Sequence, residues 1–240
     1  MIKHILILQI LGLISLGKTY SQDCKKINYQ FDFGTTLSIP YENTIEYSTN
    51  FDFHPQTNYN SEIGYFLEFL VSCNLNNKYG ISTGVNYSYS SLGIIDKIGR
   101  FENKGSLSAS YVNIPVLFNY RITDKIPISI SAGPYIGFII DAVEKGTSYI
   151  DTTGIITMEP EIFETKYNYD TNIKEDYTSI DYGLLLQLDY EVNLTKGLNG
   201  VILTRFNYGL KNVLTNDLSN KSSAHEWKNY SIQIGLGLKL

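Results

Sequence analysis

The chain has 240 residues, enough for one domain with long loops, and a formal net charge of −5 with a pI near 5.2. An acidic chain does not attract nucleic-acid phosphates, so this charge argues against a DNA or RNA partner. The mean hydropathy of −0.11 is that of a soluble protein, but 20 Tyr and 11 Phe against one Trp is not an average aromatic content.

The N-terminal residues 1–21 predict a secretory signal peptide. A short polar start precedes an apolar run from Ile5 to Leu16, and Thr19 and Ser21 are small residues of the kind found before a cleavage site. A membrane anchor would need about 20 apolar residues, so this run is too short for one. We therefore expect an exported mature domain at residues 22–240, in which no later run is long enough for a membrane helix.

Eight segments of the mature chain alternate apolar and polar residues with the period of a β-strand. They lie at 29–40, 61–73, 79–90, 106–121, 127–140, 179–192, 200–211 and 230–240. The last segment is the clearest, with one face formed by Tyr230, Ile232, Ile234, Leu236, Leu238 and Leu240.

Segment 106–121 breaks the alternation, because Leu107 and Tyr111 have the opposite parity to Ile114. A β-bulge at Val112 to Pro115 would reset the register, and its proline cannot donate a ladder hydrogen bond. We therefore predict a bulge at that point.

The connections between these segments alternate in length. Short connections lie at 74–78, 122–126 and 193–199, and long polar ones at 41–60, 91–105, 141–178 and 213–226. Short periplasmic turns and longer outer loops are typical of outer-membrane barrels. The sequence thus predicts an all-β fold, an eight-stranded antiparallel up-and-down transmembrane β-barrel.

A soluble β-protein would show the same periodicity, so other features must separate the two. The predicted signal peptide takes the chain out of the cytoplasm, and the Gly and Ser of the polar face are small enough for a narrow barrel interior. Aromatic residues also recur near strand ends, as the girdles of a membrane barrel require. These are Tyr29, Tyr65, Tyr87, Tyr89, Tyr120, Phe138, Tyr182, Tyr190, Tyr208 and Tyr230.

Two stretches, Tyr111–Tyr120 (YVNIPVLFNY) and Ala132–Phe138 (AGPYIGF), resemble the core of the PorT-like outer-membrane β-barrel family, which is common in Bacteroidota. Asp181–Leu184 and Arg205–Leu210 are similar to the later strands of that family, so the resemblance covers about 60–240. It implies a barrel in the outer membrane. The best-known members of the family are linked to protein secretion and gliding, and the resemblance implies no particular activity.

Seven charged residues fall by parity on the inward face of the predicted barrel. A buried charge is costly unless it is paired, so we expect the carboxylates to surround the two arginines in a structural network. A thin polar channel is the alternative, which the narrow interior of an eight-stranded barrel disfavours. The seven residues are Glu62, Glu68, Arg121, Asp181, Asp189, Arg205 and Lys239.

Two histidines of the mature chain, His54 and His225, lie in the first and last outer loops, near Asp52 and Glu226. An acid–base pair for an outer-membrane enzyme is conceivable there. No His-Glu-x-x-His motif occurs, and no Cys/His cluster has metal spacing. We expect solvated loop histidines, no catalytic residue, no cofactor and no metal.

The two cysteines, Cys24 and Cys73, precede the first strand and end the second. Both map to the periplasmic rim, which is an oxidising compartment. We predict a disulfide that ties the N-terminus to the first turn, with two free thiols as the alternative.

The loop 141–178 is the longest and carries many acidic residues. It alternates from Tyr149 to Met158 and from Ile162 to Tyr169, which is compatible with a hairpin that extends beyond the membrane. A solvated acidic loop is favoured over a site for a divalent cation or a partner.

These observations favour a non-enzymatic outer-membrane barrel with a structural, binding or secretion-accessory role, exerted through its outer loops or its periplasmic rim. The expected partners are outer-membrane lipid, the barrel-insertion machinery and envelope or secretion proteins. The terminal Leu240 departs from the aromatic residue that many such barrels present for insertion. A loop-histidine enzyme and a narrow small-solute pore are the alternatives, and a soluble lipid-binding barrel is a further one.

Overall fold

The computed structural model describes residues 24, 26–40, 44–46, 56–98, 101–123, 127–151, 164–213 and 228–240. These residues form eleven strands and a 3-10 helix at Lys174–Asp176. The strands are β1 Lys26–Ile39, β2 Thr44–Glu46, β3 Gln56–Ser61, β4 Ile63–Asn74, β5 Tyr79–Ile98, β6 Phe101–Arg121, β7 Ile128–Asp151, β8 Glu164–Asn172, β9 Ile180–Thr195, β10 Leu198–Gly209 and β11 Tyr230–Lys239. No helix within these ranges has the length and apolar character needed to span a membrane.

Eight of the strands close into a barrel. Each runs antiparallel to both of its neighbours in the order β1, β4, β5, β6, β7, β9, β10, β11. The ring is completed where β11 pairs with β1, from Ile39 opposite Tyr230 to Gln30 opposite Lys239. The predicted eight-stranded antiparallel up-and-down barrel is therefore confirmed.

Strand β9 shows how the two faces of the barrel wall differ. Leu184, Leu186 and Leu188 point outward and are 50%, 53% and 48% exposed, whereas Gln187 and Asp189 are buried inside. A continuous exposed band of aliphatic side chains reverses the arrangement of a soluble protein. An apolar outer band around a polar interior is the arrangement with which a barrel faces lipid.

Tyrosine pairs mark both ends of this apolar band. Tyr208 stacks on Tyr230 with ring centroids 4.9 Å apart, at the end where β10 finishes and β11 begins. Tyr79 lies 5.4 Å from Tyr120 at the opposite end. Amphipathic aromatic rings prefer the headgroup level of a membrane, so these pairs lie where the sequence places the girdles.

Three short connections lie together at one end of the barrel. They are 75–78, 122–127 and the two-residue turn 196–197, in which Gly197 adopts a φ of 90°. A φ in this region is costly for residues with a Cβ, and glycine is the common solution in a two-residue hairpin. Because short turns face the periplasm in this class of barrel, we assign this end to the periplasm.

At the opposite end the wall continues beyond the aromatic rim as a second sheet, which we call the outer sheet. Its order is β2, β3, β5, β6, β7, β8, and it uses the upper halves of β5, β6 and β7. The expectation of a polar loop at 91–105 is wrong, because β5 and β6 remain paired there and bury Leu92 and Ile94. The extension inferred from the alternation in 141–178 is present, since β7 and β8 pair as a hairpin.

The predicted bulge at Val112 to Pro115 is also wrong. Strand β6 keeps a single register against β5 along its whole length. The register shifts instead against β7 at Ser110 and Tyr111, where Ile140 is the extra residue. Leu107 packs against the same apolar cluster as Tyr111, so the change of pattern in β6 reflects a change in what the interior contains at that level.

Candidate functional site

The centre of the barrel interior is built around Arg205 of β10, which is 1% exposed. Its guanidinium pairs with the equally buried carboxylate of Glu68 on β4. Its Nε donates to Gln187 Oε1 at 2.8 Å, and Nη1 donates to Gln233 Oε1 at 3.2 Å. The ring centroid of Phe66 lies 5.8 Å from the guanidinium carbon. One side chain therefore joins strands from opposite parts of the wall.

The amide groups around Arg205 extend this cluster to further strands. Gln187 Nε2 donates to Asp189 Oδ1 at 2.7 Å, and Gln233 Nε2 donates to Thr36 Oγ1 at 3.3 Å. On β1, Asp32 accepts from Gln30 Nε2 at 3.1 and 3.0 Å. Buried polar groups in a low-dielectric interior are stabilised when such donors and acceptors match, and here amides connect the charges. We call Arg205, Glu68, Gln187, Gln233 and Asp189 the central cluster.

A second group of charges lies toward the periplasmic end. Glu191 of β9 accepts from Lys239 Nζ at 2.6 Å and from Arg121 Nη2 at 3.4 Å. The side chain of Arg121 is 41% exposed, so solvent screens its ion pair far more than the one at Arg205. We call these three residues the rim group.

A cavity of about 350 Å³ separates the central cluster from the periplasmic rim. Gln30, Gln187 and Asp189 form its inner end. Its walls carry asparagine and serine side chains together with the rim group and two further cations, Lys26 and Lys78. We call this cavity the periplasmic vestibule. Its lining is polar, which favours water or a polar ligand over an apolar one.

The outer end of the barrel is closed by an apolar cluster. Tyr111, Ile139, Ala142, Tyr177 and Val213 are all buried there, and Leu107, Ala109 and Ile173 pack against them. Tyr177 follows the 3-10 helix on the segment 173–179 that joins β8 to β9. Backbone bonds fix this segment, from the N–H of Ile173 to the carbonyl of Ala142 at 2.9 Å and from Thr178 to Val213 at 2.7 Å. We call the five buried residues the plug.

Directly below the plug, Asp181 accepts hydrogen bonds from two side chains. Tyr135 Oη donates at 3.3 Å and Asn229 Nδ2 at 2.9 Å. Cavities at this level have volumes of only about 30 and 50 Å³. One water molecule occupies about 30 Å³ of liquid, so such cavities have room for only one or two water molecules.

In a comparison with known protein families, the chain matches the outer membrane protein beta-barrel domain over residues 20–215. The chain belongs to this family. Together with the outward apolar band, this membership places the barrel in the outer membrane. A search of curated proteins gives no match.

Solved outer-membrane barrels align with most of the chain at low identity. OprG from Pseudomonas aeruginosa is 12% identical, with 91% of this chain and 98% of OprG covered and a TM-score of 0.43. Neisserial surface protein A is 13% identical, covering 89% and 96%, with a TM-score of 0.39. Ail of Yersinia pestis, in complex with the heparin analogue sucrose octasulfate, is 11% identical, covering 90% and 99%, with a TM-score of 0.38.

The structure divides the seven inward charges predicted from the sequence into separate groups. Glu68, Arg205 and Asp189 meet in the central cluster, while Arg121 and Lys239 meet at the rim. Asp181 lies under the plug, and Glu62 accepts from Ser91 at the start of the outer sheet. Among the described residues each arginine pairs with a carboxylate, Arg205 with Glu68 and Arg121 with Glu191, but the two pairs lie in separate groups.

Residues that the sequence argument left out hold the groups together. Gln187 and Gln233 each bond to Arg205, and Glu191 joins the two rim cations. All three stand at polar positions of alternating strands, so parity places them inside. A search of the sequence for inward charges does not find glutamine, although each amide provides both donors and an acceptor.

The remaining candidates have different outcomes. His54 and His225, with Asp52 and Glu226, lie outside the described residues. The predicted signal peptide at 1–21 also lies outside them. Within the described ranges, no group of three or more His, Cys, Asp or Glu side chains is arranged to hold a metal ion.

The two cysteines lie together at the periplasmic end. Cys24 and Cys73 lie within disulfide-bonding distance, with Cα atoms 5.6 Å apart, and Cys73 stands opposite Ile27 in the β1–β4 ladder. This Cα separation is the usual one for a disulfide. The bond would tie the start of the described chain to the first periplasmic turn.

The outer sheet carries its own charged side chains, outside the membrane-spanning part. Lys104 Nζ lies 2.8 Å from Glu102, and Lys145 Nζ lies 2.9 Å from Asp170. The hydrogen bond and the charge of Lys104 lower the pKa of Glu102. Burial, with the neighbouring Glu144 carboxylate, raises the pKa of Tyr169 to about 12.

Proposed function

We propose that this protein is a non-catalytic outer-membrane barrel whose outer sheet is a binding surface in the cell envelope. The observation that carries the proposal is a contrast within one wall. Between the periplasmic vestibule and the outer mouth the interior is filled by side chains packed against one another, whereas the upper strands form an exposed sheet beyond the aromatic rim. An eight-stranded barrel whose interior is filled has its accessible chemistry at its ends.

The packing of the interior supports an anchoring role in place of conduction. A solute entering from the periplasm would meet the central cluster, in which Arg205 is bonded to three side chains, and then the plug. Displacing the central cluster would separate the buried Arg205–Glu68 ion pair, at considerable free-energy cost. The small-solute pore is therefore the weaker proposal.

The outward face of the outer sheet offers the kind of side chains that binding surfaces use. Tyr149 stands opposite Glu102 on β6 and Lys166 on β8, so the three share one face. Lys104 and Lys166 lie 5.9 and 5.6 Å from the ring centroid of Tyr149. Exposed aromatic residues flanked by cations are common in recognition surfaces.

The finer assignment, to PorT-like barrels, is also a proposal. The two stretches that carry the resemblance lie on adjacent strands, with Pro115 of β6 opposite Tyr135 of β7. Tyr135 packs inward with Leu117 and Leu185 and donates to Asp181. Pro115 and Tyr135, one from each stretch, are thus paired on the inward face, which supports a common architecture for this part of the wall. A role in secretion rests on the resemblance alone.

Photocrosslinking in intact cells tests the binding role. A photoreactive phenylalanine analogue replaces Tyr149 on the outer sheet or, as the matched control, the exposed Leu194 at the periplasmic end. We expect protein or glycan adducts at position 149 that exceed those at 194. Adducts at 194 alone would contradict a binding role for the outer sheet and favour the periplasmic rim as the binding surface.

Conductance tests the closed interior. The purified full-length protein, inserted into planar bilayers beside a conducting porin as positive control, is expected to give no stable conductance steps. Reproducible steps from the folded protein would reject the anchor interpretation in favour of a pore.

A further inference from the structure

We propose that the periplasmic vestibule is a binding site for a small polar anion that carries a phosphate or carboxylate group. The inference does not depend on the role of the outer sheet, because it concerns the opposite end of the barrel. Its volume, about 350 Å³, is within the range of about 300–1,000 Å³ that small-molecule sites occupy.

The charges around the vestibule are unevenly distributed. Four cations line it, one each on β11, β1, the β4–β5 turn and β6. The ring runs from β11 through β1, β4 and β5 to β6, so these cations lie on one continuous part of the wall. They are Lys239, Lys26, Lys78 and Arg121. The two lining carboxylates, Asp189 and Glu191, both lie on β9. One side of the cavity is therefore cationic, and the sum over these six side chains is positive.

Glu191 neutralises only part of this charge. Its two oxygens accept from Lys239 at 2.6 Å and from Arg121 at 3.4 Å. The contact with Arg121 uses one nitrogen of a guanidinium that has five N–H donors in a planar fork. The remaining donors are suited to a bidentate contact with a carboxylate or phosphate.

Lys26 and Lys78 add positive charge to the vestibule beyond that of the rim group. Among the described residues, neither lysine forms an ion pair with a carboxylate. Lys26 begins β1 opposite Asn74, and the carbonyl of Lys78 accepts from the backbone N–H of Arg121 at 2.8 Å, so both positions are fixed by the strand ladder. An anion between them and Arg121 would meet three cationic groups at once.

The rest of the lining argues for a ligand with hydrogen-bonding groups beside its charge. Amide and hydroxyl side chains surround the cations, and Asn119 bonds Ser82 at 3.0 Å within the wall. The inner end is closed by Gln187 and Asp189, whose amide and carboxylate are already bonded to each other at 2.7 Å. A phosphorylated or carboxylated molecule of sugar size matches this combination of volume, charge and polarity.

Calorimetric titration of the purified full-length protein in detergent tests the site, with glucose 6-phosphate as the probe and glucose and inorganic phosphate as comparisons. We expect glucose 6-phosphate to bind, phosphate to bind more weakly, and glucose not to bind. The affinity should fall as sodium chloride is raised, since the attraction is electrostatic.

Paired variants locate the binding. Lys26→Gln combined with Lys78→Gln should weaken glucose 6-phosphate binding at least tenfold. Lys196→Gln, in the β9–β10 turn at the same end of the barrel but outside the vestibule lining, should leave it unchanged. Within the described part of the chain neither lysine of the double variant has an ion pair, so the barrel should fold normally, which circular dichroism checks.

Three results would overturn the proposal. They are no binding by the native protein, equal binding of glucose and glucose 6-phosphate, and equal loss in the double variant and in Lys196→Gln. The last would show that general surface charge, and not the vestibule, attracts the anion.

Discussion

Two arginine–glutamate pairs among the described residues of the barrel lie in very different surroundings. Arg205 and Glu68 are about 1% and 0% exposed at mid-barrel, whereas Arg121 and Glu191 are 41% and 12% exposed near the periplasm. The same two functional groups thus meet under different dielectric conditions. At mid-barrel each partner depends on the other, while at the rim water can replace either one. The comparison indicates that stability resides at the middle level and that the rim is free to bind other molecules.

The largest expected effect comes from removing the central cation. Arg205→Met leaves the carboxylate of Glu68 buried without its partner, and breaking a buried pair in this way costs about 3–5 kcal/mol. Urea unfolding of the protein in lipid vesicles measures the loss. The double variant Arg205→Met with Glu68→Gln is the control, and it should recover much of that loss because position 68 then carries no charge. A single variant as stable as the native protein would refute the contrast between the two levels.

On the lipid-facing surface, the cost of introducing a charge should likewise be higher at mid-barrel than near the periplasm. Leu186 lies midway between Tyr182 and Tyr190 on β9, so Leu186→Arg places a charge at the bilayer centre at a cost of about 2–4 kcal/mol. Leu194→Arg, beyond Tyr190 on the same strand, should cost about 0–1 kcal/mol. Both are measured by the same unfolding experiment. Equal costs for the two variants would show that the bilayer does not lie between the tyrosine rims.

The predicted disulfide bears on the comparison of the two levels, because it would be a covalent restraint at the periplasmic end, where the ion pair is weak. Cys24 and Cys73 are separated by 49 residues in sequence, and removing such a bond commonly costs about 2–4 kcal/mol. We expect the replacement of both cysteines by serine to cost about 2 kcal/mol, the lower end, if the unfolded chain keeps some structure in detergent. Intact mass before and after reduction, which differs by two hydrogens for a bonded pair, shows whether the bond is present. Two free thiols in protein isolated without reductant would contradict it.

The smallest expected effect is at the rim pair itself. Arg121→Gln should lower stability by less than about 1 kcal/mol, because Glu191 keeps its contact with Lys239 and solvent screens the site. Unfolding in urea at low and high salt measures this difference. A loss comparable to that of Arg205→Met would mean that the rim group is a structural element and would remove the reason for treating the vestibule as a binding site.

The sequence predicts the membrane-spanning part of the fold well, for a physical reason. A wall with lipid on one side and a filled interior on the other requires alternation, which β9 shows from Ile180 to Tyr190 and β11 from Gln233 to Leu238. The strand order follows because consecutive antiparallel strands with short turns have only one simple way to close. The outer sheet was harder to predict, since beyond the lipid the outward face no longer has to be apolar.

The interior was predictable in composition but not in connectivity. Parity places Arg205 and Glu68 inside, but they are 137 residues apart in sequence, and only the stagger of the closed barrel brings them to one level. The error at β6 has a related origin. Leu107 and Tyr111 face inward like Pro115, but the interior changes from polar to apolar between these levels, and a pattern of polarity cannot distinguish that change from a change of direction.

The attachment of the plug determines what would be needed to unblock the outer mouth. Tyr177 stands on a tether of seven residues, 173–179, whose two ends enter β8 and β9 directly. Strand β8 is fixed to β7 by nine consecutive residue pairs, so the tether has little slack at that side. A force applied to β8 by a bound molecule would therefore be transmitted along the polypeptide to Tyr177. To move Tyr177 out of the outer mouth, the β7–β8 hairpin would have to separate. The closed mouth is therefore a property of the folded state and not of a mobile lid.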